Sequence, residues 1–189
     1  MTKKYSNIME TAKSLFWKHG FKRVTIEEIC KKAGVSKMTF YRYFRDKLKL
    51  AIAVYDKVVE EGVEKFREIL RDDSSSSLQK MEKILMLKMQ GTHDISQEFL
   101  VDFYTISEPG LSSHVEKKTR ESWDEIIKDF KEAQEKGLFR KDFNPEALFL
   151  IAGKLTELMT NETMLGLYAN PQEMIMEFAR FYTFGIMPR

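Results

Sequence analysis

The sequence contains a single cysteine, Cys30, among its 189 residues. A disulfide within the chain is therefore impossible, and a reducing compartment is the simple expectation. No apolar run approaches the ~20 residues that a membrane-spanning helix needs. The N-terminal residues also lack the apolar stretch of a secretory signal. We therefore expect a cytoplasmic location.

Patterns typical of catalysis and of metal binding are missing as well. No nucleophile lies beside a candidate base, and no glycine-rich phosphate loop is present. The three histidines, His19, His93 and His114, have no second ligand at metal spacing. We expect no enzymatic activity, no metal site and no cofactor. An α-helical enzyme stays an improbable alternative, which a failure to bind specific duplexes would support.

Proline and glycine are scarce, with four and nine residues, and they stand mostly at a few punctuation points. No strand-like alternation persists, whereas apolar residues recur at spacings of three and four throughout the chain. Hydrophobic residues make up 43% and charged residues 32%, which is ordinary for a globular protein. The sequence therefore predicts an all-α fold of about nine helices.

Helix boundaries are best signalled in the first quarter of the chain. Gly20 is a candidate C-terminal stop for the first helix, and Thr25 with Glu28 has the spacing of a capping box that starts the second. Gly34 ends that helix, Ser36 caps a short third one, and Asp46 caps a long fourth helix. Five further helices are predicted over approximately 77–91, 95–107, 112–136, 145–167 and 171–187.

Charge is distributed unevenly. Residues 1–50 carry 13 basic and 4 acidic residues, a net charge of +9, whereas residues 51–189 carry 18 and 25, a net charge of −7. A basic N-terminal segment on an acidic remainder suggests that the segment meets a polyanion. We call residues 1–50 the head and residues 51–189 the body, and we predict that these are the two domains.

Within the head, two short helices are joined by a tight Ala-Gly-Val turn, which is the pattern of a helix-turn-helix. On the third helix Phe40 and Phe44 are predicted to be buried, while an opposite face is predicted to be exposed and to enter the major groove of duplex DNA. That exposed face carries Met38, Tyr41, Arg42 and Arg45.

Arg42 is the strongest candidate for reading a base, because a guanidinium group can donate two hydrogen bonds to guanine. Lys37 and Thr39, near the helix start, are next. Hydroxyl groups suited to phosphate oxygens belong to Tyr41 and Tyr43, and positive charges suited to them belong to Arg45 and Lys47. Thr25 adds the free N–H groups at the start of the second helix.

Four segments of the head resemble the N-terminal signature of TetR-type transcriptional regulators: Thr25-Ile-Glu-Glu-Ile, Ala33-Gly-Val-Ser-Lys, Thr39-Phe-Tyr-Arg-Tyr-Phe and Asp46-Lys. The resemblance covers residues 8–51. It implies a homodimer whose three-helix head is joined by a long fourth helix to a larger helical regulatory body. It also implies binding to a palindromic operator, usually with repression.

The resemblance implies a specific set of contacts to DNA. Phosphate contacts fall on Thr25, Ser36, Tyr41, Tyr43 and Lys47, and base contacts fall on Lys37, Met38, Thr39 and Arg42. Met38 departs from the small residue often found at its position, so a contact to a thymine methyl group is expected in place of close backbone approach.

The body is rich in methionine and aromatic residues, which suit an adaptable apolar pocket, and the resemblance implies a ligand cavity there. A packed, cavity-free body in a DNA-binding protein that needs no ligand is the alternative. The candidate ligand residues are Met86, Met89, Phe99, Phe103, Tyr104, Trp123 and Ile127. The last two helices have excess apolar surface suited to a four-helix dimer interface. The candidate interface residues are Phe149, Ala152, Gly153, Phe178 and Phe181.

Overall fold

A computed structural model of the protein describes residues 2–105 and 109–188. Over these residues the chain forms ten α-helices and no strand. The helices are α1 (Lys3–Arg23), α2 (Ile26–Ala33), α3 (Lys37–Tyr43), α4 (Lys47–Arg71), α5 (Ser77–Gly91), α6 (Gln97–Tyr104), α7 (Pro109–Glu135), α8 (Pro145–Leu158), α9 (Glu162–Leu165) and α10 (Pro171–Gly185). The prediction of an all-α fold is confirmed.

The predicted helix boundaries differ from the structure at several helix ends: for example, α7 begins at Pro109 rather than at residue 112, and α10 ends at Gly185 rather than at residue 187. The helix expected over 145–167 ends at Leu158, and a separate four-residue helix follows from Glu162. The Asn161 side chain caps this second helix by accepting a hydrogen bond from the Met164 N–H at 3.2 Å. The helix expected over 95–107 begins at Gln97, and its last two predicted residues lie outside the described part of the chain.

The chain divides into two compact units. The first consists of Met1–Val58 and Asp94–Lys118, and the second of Val59–His93 and Thr119–Arg189. The head lies wholly in the first unit, together with α6 and the beginning of α7. The predicted division at residue 50 concerns function and stays a prediction.

The core of the first unit is aromatic. Phe16 and Trp17 on α1 pack against Phe99 and Phe103 on α6, with ring centroids 4.4 Å apart for Trp17 and Phe99 and 6.3 Å apart for Phe16 and Phe103. All four side chains are buried. These contacts fix α6 on the head's first helix by burying a large apolar area.

A kink in α1 brings its backbone close to α6. Gly20 has a φ of +75°, and a Cβ atom there would lie 2.6 Å from Asp102 Oδ2 and 2.9 Å from Glu98 Cβ. Beyond the kink, the Lys22 N–H donates a hydrogen bond of 2.8 Å to the same Asp102 oxygen. The first helical segment therefore ends at Gly20, as predicted, and a short second segment continues from the kink to Arg23.

The second unit has its own core, in which Phe130 stacks on Phe66 at 5.7 Å and lies 4.8 Å from Phe139. Arg67 on α4 donates to Asp129 on α7 at 2.9 Å. None of the described helices is long and apolar enough to cross a membrane.

Candidate nucleic-acid interface

The helix-turn-helix is built by three side-chain caps and one left-handed glycine. Thr25 and Ser36 accept hydrogen bonds from the Glu28 and Thr39 N–H groups, at 3.2 and 3.1 Å, and so begin α2 and α3. Gly34 has a φ of +66° and ends α2. Asp46 begins α4 by accepting from the Lys49 N–H at 2.8 Å. All four residues were predicted in these local positions.

The inner face of α3 is anchored by aromatic packing, as predicted. Phe40 and Phe44 are buried, and their ring centroids are 5.9 Å apart. Tyr5, in the first turn of α1, stacks on Phe44 at 5.4 Å. A seven-residue helix could not persist alone, so these contacts hold α3 in place.

The outer face of α3 is open to solvent. Met38 is 78% exposed and Tyr41 is 55% exposed, and the Arg42 side chain is exposed as well. Arg45 was predicted to lie on the same helical face, but α3 ends at Tyr43 and Phe44 is extended, so Arg45 lies beyond the helix, where it is exposed. Arg45 donates to its neighbour Asp46 at 3.3 Å, whereas Arg42 forms no ion pair with any other residue in the described part of the chain. The Arg42 guanidinium is therefore available to a partner.

Lys37 is exposed, but its ammonium group is held by a carboxylate. It donates to Glu27 Oε1 on α2, and this hydrogen bond keeps the pKa of Glu27 below its ordinary value and the pKa of Lys37 above its own. A base contact by Lys37 requires that this exposed pair be broken. The predicted contact stays a prediction.

Two further candidates take part in contacts within the head. Thr39 is only 8% exposed, and its hydroxyl lies 3.1 Å from the Ser36 hydroxyl. The Tyr43 hydroxyl lies 2.6 Å from the Thr2 hydroxyl, and the Tyr43 ring meets the Tyr5 ring edge-on at 5.6 Å. For Thr39, burial leaves little surface for a base contact, so we rank it below Arg42.

Lys47 has a structural role that the sequence did not reveal. Its Nζ donates to the carbonyl oxygens of Phe21 at 2.7 Å, Val24 at 2.8 Å and Lys22 at 3.3 Å, and it lies 4.3 Å from the centre of the Phe21 ring. A lysine in this position satisfies the free carbonyls at the C-terminus of α1. The ammonium group that was predicted to meet phosphate is thus engaged inside the head.

The predicted ligand residues belong to both units. Phe99 and Phe103 form the core of the first unit, as described above, and Tyr104 is at its surface. In the second unit Met86 and Met89 are about half exposed, whereas Trp123 and Ile127 are partly buried. Two pockets in the second unit are lined by none of these residues: one lies beside Arg67, Asp129 and Leu138, and the other beside Arg140, Leu148 and Tyr182. The ligand assignment stays a prediction.

The predicted dimer residues point in different directions. Phe149 packs on Trp123 at 5.1 Å and on Phe130 at 5.6 Å, and a Cβ atom on Gly153 would lie 3.3 Å from Trp123. Ala152 and Phe178 are partly buried, and Phe181 is 69% exposed. Sequence reasoning missed other exposed apolar residues on the same two helices: Leu150, Ile151, Leu158 and Phe184.

Comparison with known proteins gives the head a family. Residues 8–54 match the family model described as bacterial regulatory proteins, tetR family. The HTH-type transcriptional regulator YdgC of Bacillus subtilis (strain 168) is 22% identical over 194 residues, which covers 96% of this chain and 92% of that protein. YerO, another HTH-type regulator from that strain, is 33% identical over 72 residues, which covers 38% of this chain and 25% of that protein.

Solved structures share the fold over the whole chain. The fatty acid degradation regulator FadR from Bacillus halodurans superposes with a TM-score of 0.71 at 20% identity and covers 100% of this chain and 99% of its own. The regulatory protein TetR from Rhodobacter sphaeroides gives 0.69 at 18% identity, with coverages of 98% and 100%. The head therefore matches the tetR family of bacterial regulatory proteins over residues 8–54, and the whole chain shares its fold with solved proteins that include such regulators.

Proposed function

We propose that the protein acts in the cytoplasm as a homodimeric repressor, which binds a palindromic operator and is released from it by a small, mostly apolar ligand. The observation that carries the DNA-binding part is the two-faced third helix. Phe40 and Phe44 hold one face of α3, and the opposite face presents Met38, Tyr41 and Arg42 to solvent. A helix fixed in this way can enter the major groove, which is wide enough to admit it.

The DNA contacts divide by chemistry into two groups. Arg42 reads a guanine, Met38 contacts a thymine methyl group, and Lys37 reaches a base after leaving Glu27. The phosphate contacts come from the start of α2 at Thr25, from the hydroxyls of Tyr41 and Tyr43, and from Arg45. The net charge of +9 in the head steers it towards the duplex.

The proposed dimer uses the exposed apolar face of α8 and α10. Leu150 is 74% exposed and Phe181 is 69% exposed, and large exposed apolar side chains commonly mark an interaction site when they lie together. Pairing these two helices with their symmetry mates forms a four-helix interface. The remaining members of this face are Ile151, Leu158 and Phe184.

Selection of bound duplexes from a random pool tests the DNA-binding part. We expect a palindromic consensus whose half-sites lie one helical turn, ~34–36 Å, apart, since two symmetric heads read successive major grooves. A consensus without two-fold symmetry would contradict the dimer, and no enrichment at all would contradict specific reading.

Release by ligand is a shift between two body shapes, only one of which holds the heads at operator spacing. The ligand must favour the released shape by ~1–3 kcal/mol for typical coupling. The names of structural neighbours refer to unlike compounds, since one regulator is named for fatty acid degradation and another was solved in complex with choline. We therefore propose the class, a small and mostly apolar molecule, without choosing among these compounds.

The alternative is a regulator that needs no ligand and has a packed body. The tight packing of Phe99 and Phe103 on α1 supports this alternative at those two positions, because neither side chain is free to line a ligand cavity. A thermal-shift screen of small apolar compounds, followed by operator binding with each hit, separates the two. A compound that raises the melting temperature and also weakens operator binding supports release. Hits that leave operator affinity unchanged support the alternative.

A further inference from the structure

A cavity in the second unit is lined by two residues that each carry a buried polar atom without a hydrogen-bond partner. The cavity has a volume of about 250 Å³ and lies where α8, α10 and the segment 140–144 meet. Arg140 Nε and the Tyr182 hydroxyl are both buried and form no hydrogen bond with any residue in the described ranges. Both residues line the cavity, together with Phe143, Ala147, Leu148, Ile151, Phe181 and Ile186.

The segment that carries Arg140 is held from two sides. The Gln134 amide donates to the carbonyl oxygens of Arg140 at 3.0 Å and Phe143 at 2.9 Å. The backbone N–H of Arg140 donates a hydrogen bond of 3.0 Å to the backbone carbonyl oxygen of Ile186, at the end of α10. The cavity wall is thus fixed before any ligand arrives, which lowers the ordering cost of binding.

The charge on Arg140 is only weakly matched. The nearest carboxylate is Asp142, whose Oδ1 lies 3.5 Å from Arg140 Nε and whose side chain is largely exposed. The Arg140 guanidinium carbon lies 5.9 Å from the centre of the Phe143 ring. Burial raises the pKa of Tyr182, so its hydroxyl stays protonated and can donate. Both orphaned groups therefore require an acceptor, and one of them prefers an anion.

We propose that this cavity binds a small monocarboxylate with a compact apolar body. The carboxylate accepts hydrogen bonds from the Arg140 guanidinium and the Tyr182 hydroxyl after a change of side-chain rotamer, and the apolar body contacts Phe143, Leu148 and Ile186. The volume lies just below the ~300–1,000 Å³ typical of pockets for larger ligands, so the ligand is small. This site shares no residue with the ligand set predicted from the sequence.

Ile151 and Phe181 line the cavity and also belong to the proposed dimer face. A second copy of the chain could therefore cover the mouth. We favour a free small molecule because an apolar contact with a second copy would leave Arg140 Nε and the Tyr182 hydroxyl without hydrogen-bond partners.

Calorimetric titration of the full-length protein with sodium 3-phenylpropionate tests the site, with 3-phenylpropan-1-ol as the uncharged probe of similar shape. We expect saturable binding of the carboxylate and binding of the alcohol at least about tenfold weaker, because the charge-assisted hydrogen bonds are lost. Equal binding of the two probes would overturn the carboxylate assignment. Absence of saturable binding up to ~10 mM would overturn the site, leaving the cavity to water or to a second copy.

Three variants locate the binding. Arg140→Met keeps the apolar stem and should weaken the carboxylate at least about tenfold while leaving the alcohol unchanged. Tyr182→Phe should weaken the carboxylate several-fold and, without ligand, should melt no lower than the wild type, because it removes an unsatisfied buried hydroxyl. Arg180→Met on the exposed side of α10 should bind as the wild type does.

Unchanged binding in Tyr182→Phe and Arg140→Met would show that the probe binds elsewhere and would overturn the proposal. The titrations contain no DNA, so their result does not depend on the result of the operator selection.

Discussion

At the residue scale, the exposed arginines of the head are expected to differ in what they read. Arg42→Ala should cost ~1–3 kcal/mol on the selected operator and relax preference at one base pair, because it removes a pair of hydrogen bonds to a base edge. Arg45→Ala should weaken operator and random duplexes alike and reduce the salt slope by about one. Binding titrations at several salt concentrations measure both. Equal losses on operator and random DNA for Arg42→Ala would remove its base-reading role.

Loss of the Lys47 ammonium group is expected to lower the stability of the protein more than it lowers DNA affinity. Lys47→Met keeps the aliphatic stem but leaves the carbonyls of Phe21, Lys22 and Val24 without their shared donor. We expect a loss of about 1.5–3 kcal/mol of unfolding free energy, the range for hydrogen bonds to charged groups. Chemical denaturation measures it, with Lys49→Met on the exposed side of α4 as the control. A variant that is as stable as the wild type but binds all duplexes more weakly would contradict the structural role and would support a phosphate contact by Lys47.

At the element scale, the fit between α1 and α6 depends on the absent side chain of Gly20. Gly20→Ala places a Cβ atom 2.6 Å from Asp102 Oδ2 and 3.1 Å from the Glu98 backbone carbon, at a φ of +75°. Gly34→Ala has a similar φ of +66° but meets no atom within 4 Å. The control should lose about 1 kcal/mol from backbone strain alone, and Gly20→Ala should lose clearly more. Equal melting temperatures for the two variants would contradict this expectation and would show that α6 can shift to accommodate the added methyl group at little cost.

The helices and their contacts differ in how well the sequence could predict them. The caps at Thr25, Ser36 and Asp46 were predictable because each joins residues only three positions apart. The packing of α6 on α1 joins residues about 80 positions apart, and no local pattern in either helix specifies the other. The break after Leu158 had one local signal, Asn161 at a capping position, but the continuing apolar periodicity concealed it. For Lys47, a position beside the third helix in a basic head favoured a DNA contact, and only the fold revealed three carbonyl oxygens within reach of its ammonium group.

At the scale of the whole molecule, the proposed dimer is expected to depend on the exposed face of α8. Leu150→Glu should dissociate the dimer, because it introduces two charges at a symmetric apolar contact. Leu167, 70% exposed between α9 and α10, gives a matched control in Leu167→Glu. Light scattering measures the mass, and circular dichroism checks that the helices remain. A dimer that persists in Leu150→Glu would assign the interface to another surface.

Loss of the dimer should also reduce operator affinity far more than affinity for a single half-site. Two linked heads bind with an effective concentration that a monomer lacks, so the loss can reach a factor of 10²–10⁴. A monomeric variant that retains full operator affinity would separate dimerisation from DNA recognition.

The pair between Glu27 and Lys37 bears on how such a protein would find its operator. On random DNA, Lys37 gains only a phosphate in exchange for the carboxylate that already holds it, so little favours the exchange. If Lys37 contacts a base as proposed, it gains a base edge on the operator instead. We therefore expect Glu27 to compete with the phosphate backbone for Lys37, and so to shorten the time that the protein spends on wrong sequences. A regulator released sooner from each wrong sequence can survey more of a chromosome before it stops.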